Sequence, residues 1–262
     1  MKALMYWLTT MTLVLAATVV AVPALAANDG SCDGLPSHAQ LKAALTDSLG
    51  GTGGLEFQMW ASVVNRDGVV CQVAFTGPNR GAQWPGSRVI AAQKANAANA
   101  FSLPDFALST ANLYTAVQPG GTLFGLQLSN PINTDVAYAG NAGNYGQSND
   151  PMRGGKIGGI NVFGGGLALY DASGNLLGGL GVSGDTSCAD HIVAWRTRHA
   201  LNLDNVPGGV AAGGTDNAIY DIAPDGNGHP VSASGFGHPQ CSAASTATSN
   251  ALPVSNPIGP TP

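Results

Sequence analysis

The chain has 262 residues, 37 of them glycine, with only 10% charged side chains and a net charge of −5. It has no block of Lys or Arg, so electrostatic binding to nucleic acid or to an anionic membrane is disfavoured. The length suits one domain of ordinary size with extensions, or at most two.

Lys2 precedes an uncharged apolar stretch from Ala3 to Val22, then Pro23 and the small residues Ala24-Leu25-Ala26-Ala27. A basic start, an apolar middle and an A-x-A site read as a secretory signal peptide over 1–26, with a membrane anchor as the rival reading. The expected product is a periplasmic or secreted protein, free of the membrane once cleaved. Losing Lys2 takes the net charge from −5 to −6.

Leu35, Leu41, Ala44, Leu45 and Leu49 fit one helical face, with Pro36 near the start and Gly50-Gly51 beyond the end. Two Val- and aromatic-rich runs flank Asn65-Arg66-Asp67-Gly68, a β-hairpin signal. A Gly- and Pro-marked loop, Thr76 to Gly86, carries Arg80 and Trp84. The alanine-rich stretch Ser87 to Phe101 predicts a helix with Ser87 able to cap it, and a short helix is expected over Asp105 to Val117. Residues 118–153 read as an inserted loop of the kind that borders sites. A short strand near Ile160–Phe163 precedes a second hairpin, Gly166–Tyr170 with Leu176–Val182. Ser187 to Leu201 predicts a helix capped by Asp185, Thr186 or Ser187. Beyond it, an irregular wrap over 205–241 and a disordered tail over 242–262 are expected.

Four cysteines follow the leader: Cys32, Cys71, Cys188 and Cys241. An even count in an exported chain points to two disulfides, with three possible connectivities. Cys188-x-x-His191 and His238-x-x-Cys241 are mirror-image pairs. They permit a Cys2His2 metal site or a Cys188–Cys241 bridge with Cys32–Cys71 at the other end. An oxidising compartment favours the bridges.

Gly179, Gly181 and Gly184 spell G-x-G-x-x-G, with Asp204 about twenty residues on. A dinucleotide fingerprint needs a parallel β–α–β unit. Here the strand is the second arm of a hairpin and no apolar strand follows the helix, so that reading fails. The glycines still let a backbone or a flat ligand approach closely, and the helix start offers N–H groups to an anion. Packing of helix on sheet explains the same glycines equally well.

The hairpin VVNRDGVVCQVAF, the helix SRVIAAQKANAANAF and the stretch GGLALYDASGNLLGGLGVSGDTSCAD, in that order, resemble the haem-binding-protein/GlcG-like (HbpS-like) family. Lys94-Ala95 matches that family's lysine–alanine pair, Gly178 to Gly184 its glycine strand and Asp190 its acidic position. The resemblance implies a profilin-like α+β domain over 27–204, a five-stranded antiparallel sheet between helices in three layers. It also implies a homo-oligomer and, in some members, haem. The 118–153 insertion and the cysteine-bearing tail depart from the pattern.

Haem would need an axial donor, an apolar slot and cations for its propionates. No C-x-x-C-H motif exists for covalent attachment. His191 is the favoured donor and His38 the second. Arg80, Arg88 and Lys94 are candidate cations, and Gly181, Ser183, Gly184, Asp185 and Thr186 the candidate cradle. No nucleophile elbow, zinc-protease motif, P-loop or EF-hand loop is found. The expectation is therefore a small-molecule-binding protein for haem or another planar anion. The alternatives are an enzyme on tetrapyrroles or small organic acids, with Lys94 and Asp185 or Asp190 at its centre, and a structural or sensory partner protein.

Overall fold

The computed structural model describes residues 31–259; the expected leader over 1–26 lies outside them. Helix α1 (His38–Asp47) starts at Ser37, whose side chain and that of Gln40 form a reciprocal capping box. Strands β1 (Trp60–Asn65) and β2 (Val70–Phe75) form the first hairpin. Asn65 Oδ1 accepts the amides of Asp67 and Val69, and Gly68 takes φ +76°. Helix α2 (Ser87–Ala100) follows Gly86, which makes no side-chain cap; Ser87 is already helical, contrary to the capping role expected of it. Short helices α3 (Leu126–Ser129) and α4 (Thr134–Ala137) lie in the insertion. Strands β3 (Gly166–Tyr170) and β4 (Leu176–Ser183) form the second hairpin, then α5 (Ser187–Ala200), a two-stranded ribbon of β5 (Ile222–Pro224) and β6 (Pro230–Ser232), and α6 (Ala243–Ser255).

The main sheet runs β2-β1-β4-β3, antiparallel throughout. Among the described residues it has four strands, where five were expected. Residues 160–163 join no ladder, because the outer edge of β3 is already occupied. Gly166 exchanges hydrogen bonds with Thr110, and the Tyr170 amide donates to Leu203. Ile160 and Val162 are buried against Ala97 and Leu113 instead. The β2 edge is closed by the end of the insertion and the residues just after it: Arg153 donates to Cys71 O, and Val70 pairs with the Gly154 and Gly155 backbone. Both edges are thus shielded from pairing with other chains.

Two further expectations are corrected. Residues 105–117 form turns with a single 3-10 turn at Thr115–Val117, because Ser109 and Asn112 bind backbone and each other in place of a helical ladder. The supposedly disordered tail contains α6, which opens on a capping box between Ser242 and Ser245 and buries Leu252 in the main core.

Helix α2 covers one face of the sheet; α1 and α5 cover the other, with α6 outside α5. Residues 179, 181 and 183 of β4 share the α2 face with 166 and 168 of β3. Both disulfides form, Cys32–Cys71 and Cys188–Cys241.

Candidate functional site

The glycine strand is the floor on which α2 lies. A Cβ on Gly181 would collide with the Ala91 carbonyl oxygen, and one on Gly179 with that of Ala95. A Cβ on Gly184 would strike the Gln58 carbonyl. The space these residues vacate is filled by backbone, so the open slot expected above Gly181 does not exist.

The start of α5 is equally saturated. Thr186 caps the Ala189 amide, the Asp185 amide donates to Asp190 Oδ1, and the Cys188 amide points at Cys241 Sγ. Asp185 in turn accepts the amides of Leu55, Phe57 and Thr186, which ties the approach to β1 onto α5. Ser183 is buried opposite Trp60 on β1.

Lys94 reaches from α2 past Gly165 to the far side of the sheet. Its Nζ donates to Asp190 Oδ2 at 2.6 Å and Val182 O at 3.1 Å, with the Phe163 ring 4.9 Å away. Both partners are excluded from solvent. Burial lowers the Lys94 pKa and raises that of Asp190 to about 6, opposed in each case by attraction to the partner. Such a pair joins layers; removing one partner alone costs on the order of 3–5 kcal/mol. Arg198 and Asp216 form a second enclosed pair, bidentate at 2.7 and 2.8 Å, which no motif in the sequence marks.

His191 is fully buried. Its Nε2 lies 3.1 Å from Asn217 Oδ1 and 3.2 Å from the Ala218 nitrogen, while Nδ1 has no partner among the described residues. Burial holds its pKa down to about 4. His238 accepts the Gly164 amide at Nε2, sits between the rings of Tyr114 and Tyr220, and is pushed by burial to about 3. The two Cys/His pairs therefore meet, but as a disulfide beside two neutral imidazoles already engaged with protein groups. No cluster of metal donors exists among the described residues. His38 is remote from them, holding Gly146 O at 2.9 Å.

A cleft of about 680 Å³ lies elsewhere, between the 76–86 loop, the first turn of α2 and the insertion. Trp60, Pro85, Val89, Tyr138 and Tyr145 line it, with exposed Arg80 at its rim. Arg88 lies in its floor, bonded bidentately to Asp150, donating to Ala137 O and stacked 3.7 Å from the centre of the Tyr145 ring. It is therefore an anchor for the insertion and not a free cation. Asp150 also accepts the Gly146 and Met152 amides, which sets the loop that presents Tyr145.

Of the residues singled out in the sequence, Lys94 and Asp185 meet at Asp190, whereas Arg80 and Arg88 meet in the cleft. The aromatic walls were missed. Their signal was the pairing of two features already visible, the Arg80 loop and an insertion carrying Tyr138 and Tyr145. A cleft of this size, apolar with a few polar groups, falls in the range of small-molecule sites. Its aromatic residues and the Arg80 cation are the side-chain types that a planar ring carrying an acid group needs. No imidazole lines it, so an iron donor within it would be a Tyr138 or Tyr145 phenol, a known type of haem ligand.

A family model described as "Haem degrading protein HbpS-like" matches residues 53–198, over half of the chain. Among solved structures, Klebsiella pneumoniae protein ORFY is 24% identical, with 62% of this chain and 86% of that one covered at a TM-score of 0.42. The PduOC:Heme complex is also 24% identical, with 63% and 91% covered at a TM-score of 0.43. No curated protein matches the chain.

Proposed function

This chain belongs to the HbpS-like family, and from that membership we propose that it is an exported binding protein for haem or a similar planar anion. The observation that carries the reading is the cleft beside α2, with its aromatic walls and the Arg80 guanidinium at its mouth. Tyr138 and Tyr145 flank the ring, Arg80 meets a carboxylate, and Arg88 holds the insertion in place. The glycine strand and His191 leave the ligand site and become scaffold. The enzyme reading that rested on Lys94, Asp185 and Asp190 loses its support, since all three are enclosed and engaged with protein partners.

Export is supported by two disulfides, bonds that persist in oxidising compartments. No helix of the described residues is long and apolar enough to cross a membrane. Self-association accords with exposed apolar side chains such as Phe124 and Leu128, and sedimentation of the purified chain reads it directly.

Haemin titrated into the purified protein should give a saturable Soret band near one equivalent. Arg80→Ala should weaken binding roughly tenfold, the scale of one charge-assisted contact. Tyr138→Phe should shift the band if its phenol meets the iron. A non-saturating titration, or equal affinity in both variants and the parent, would reject the cleft. Haem degradation, the activity in the family's description, would appear in the same cuvette as bleaching after a reductant is added.

A further inference from the structure

The two disulfides differ in how exposed their cysteines are. Cys71 is buried on β2 and Cys32 is half-buried. Cys241 is solvent-exposed, directly before the Ser242 cap of α6, and its partner Cys188 is buried at the second position of α5. Cys241 Sγ stands 3.3 Å from the Cys188 backbone nitrogen and 3.6 Å from Ser187 Oγ. A backbone amide aimed at the sulfur and the positive end of a helix dipole favour a thiolate over a thiol. The acidic groups nearby are already taken up, Asp185 by three backbone amides and Asp190 by Lys94. Each bridge has one sulfur against a carbonyl, Cys188 Sγ on Pro239 O and Cys71 Sγ on Val69 O, but among the described residues only Cys188–Cys241 also has a sulfur held by a helix-start amide.

We infer that Cys188–Cys241 is a reducible clasp on α6, opened by an external thiol or dithiol before Cys32–Cys71 is touched. The incoming thiolate attacks Sγ of Cys241, the exposed cysteine of the pair, and forms a mixed disulfide. The original S–S bond breaks and its electron pair leaves on Cys188 Sγ, in the first turn of α5. A second thiol of the reductant then displaces Cys241, so the reductant ends as its own disulfide and the protein has gained two electrons as two thiols or thiolates. Stabilising the reduced form makes a disulfide more oxidising, hence easier to open. Opening removes the one covalent tie of α6 to α5. What remains is hydrogen bonding from Ser242 Oγ to Gly53 O, Asn217 Nδ2 to Ser249 O and Trp195 Nε1 to Asn256 O, together with buried Leu252.

The test equilibrates the oxidised full chain, without denaturant, in glutathione buffers of graded poise. Thiols are trapped by alkylation and mapped by mass spectrometry, and hydrogen exchange is followed over 243–255. Cys188 and Cys241 should be half-reduced at a [GSH]²/[GSSG] ratio at least about tenfold below that for Cys32 and Cys71, with faster exchange in α6. Ser187→Glu, which sets a negative charge beside the sulfur, should move that midpoint several-fold toward stronger reduction. Coincident opening of the two bridges, earlier opening of Cys32–Cys71, unchanged α6 exchange or an unmoved Ser187→Glu midpoint would each overturn the clasp.

Discussion

His191 and His238 show how burial converts a suspected ligand into a structural part. Both pKa values lie below the ordinary 6.5 because the interior disfavours the charged ring. The unfolded chain then binds more protons than the folded one below pH 6.5. Stability is complete above that pH and falls as pH drops toward the folded values near 4 and 3, by about 1.4 kcal/mol per pH unit for each ring. In an NMR titration two ring signals should keep neutral-imidazole shifts down to pH 5, while the denaturant midpoint declines over the same span. Two midpoints near 6.5 would show that these rings reach solvent. Lys94 and Asp190 make the same point with charge: the pair spans two layers, out of solvent, with both carboxylate oxygens and two of the ammonium protons bound to protein groups.

At the scale of elements, β4 and α2 are matched by their lack of side chains. Alanines 91 and 95 lie on Gly181 and Gly179, so helix and sheet meet backbone to backbone. Gly181→Ala should therefore destabilise the fold by roughly 2–3 kcal/mol, as overpacking does, visible as a lowered Tm in the ligand-free protein. A normal Tm with lost ligand binding would instead revive the glycine slot. The insertion is an element of the same standing. It closes the β2 edge, supplies Tyr138 and Tyr145 to the cleft and is pinned by Arg88 to Asp150.

Across the whole molecule, the C-terminal segment completes the core. Leu252 is fully buried, and Trp195 donates its indole N–H to Asn256 O. A chain ending at Ser242 keeps both disulfides but should lose on the order of 2–5 kcal/mol, the cost of removing a buried leucine and its surroundings. Urea unfolding compares the two directly, and equal midpoints would mean that α6 is only an appendage.

The hairpins at Asp67-Gly68 and Asp171 to Asn175, the alanine helix and the capped helix α5 were legible because turn chemistry, helix capping and periodicity are local. Helix α6 carried a readable Ser242-x-x-Ser245 cap, but its small polar residues show no apolar period. What the glycines serve was undecidable in one dimension, since an empty side-chain position reads alike whether a ligand or a helix fills it. Chain distance hid the rest: Arg198–Asp216, Arg88–Asp150 and the walls of the cleft exist only where separate segments converge. Local sequence therefore determined most of the elements, whereas tertiary packing decided the disulfide partners and which polar groups stayed accessible, because burial and proximity belong to the whole arrangement and to no single residue.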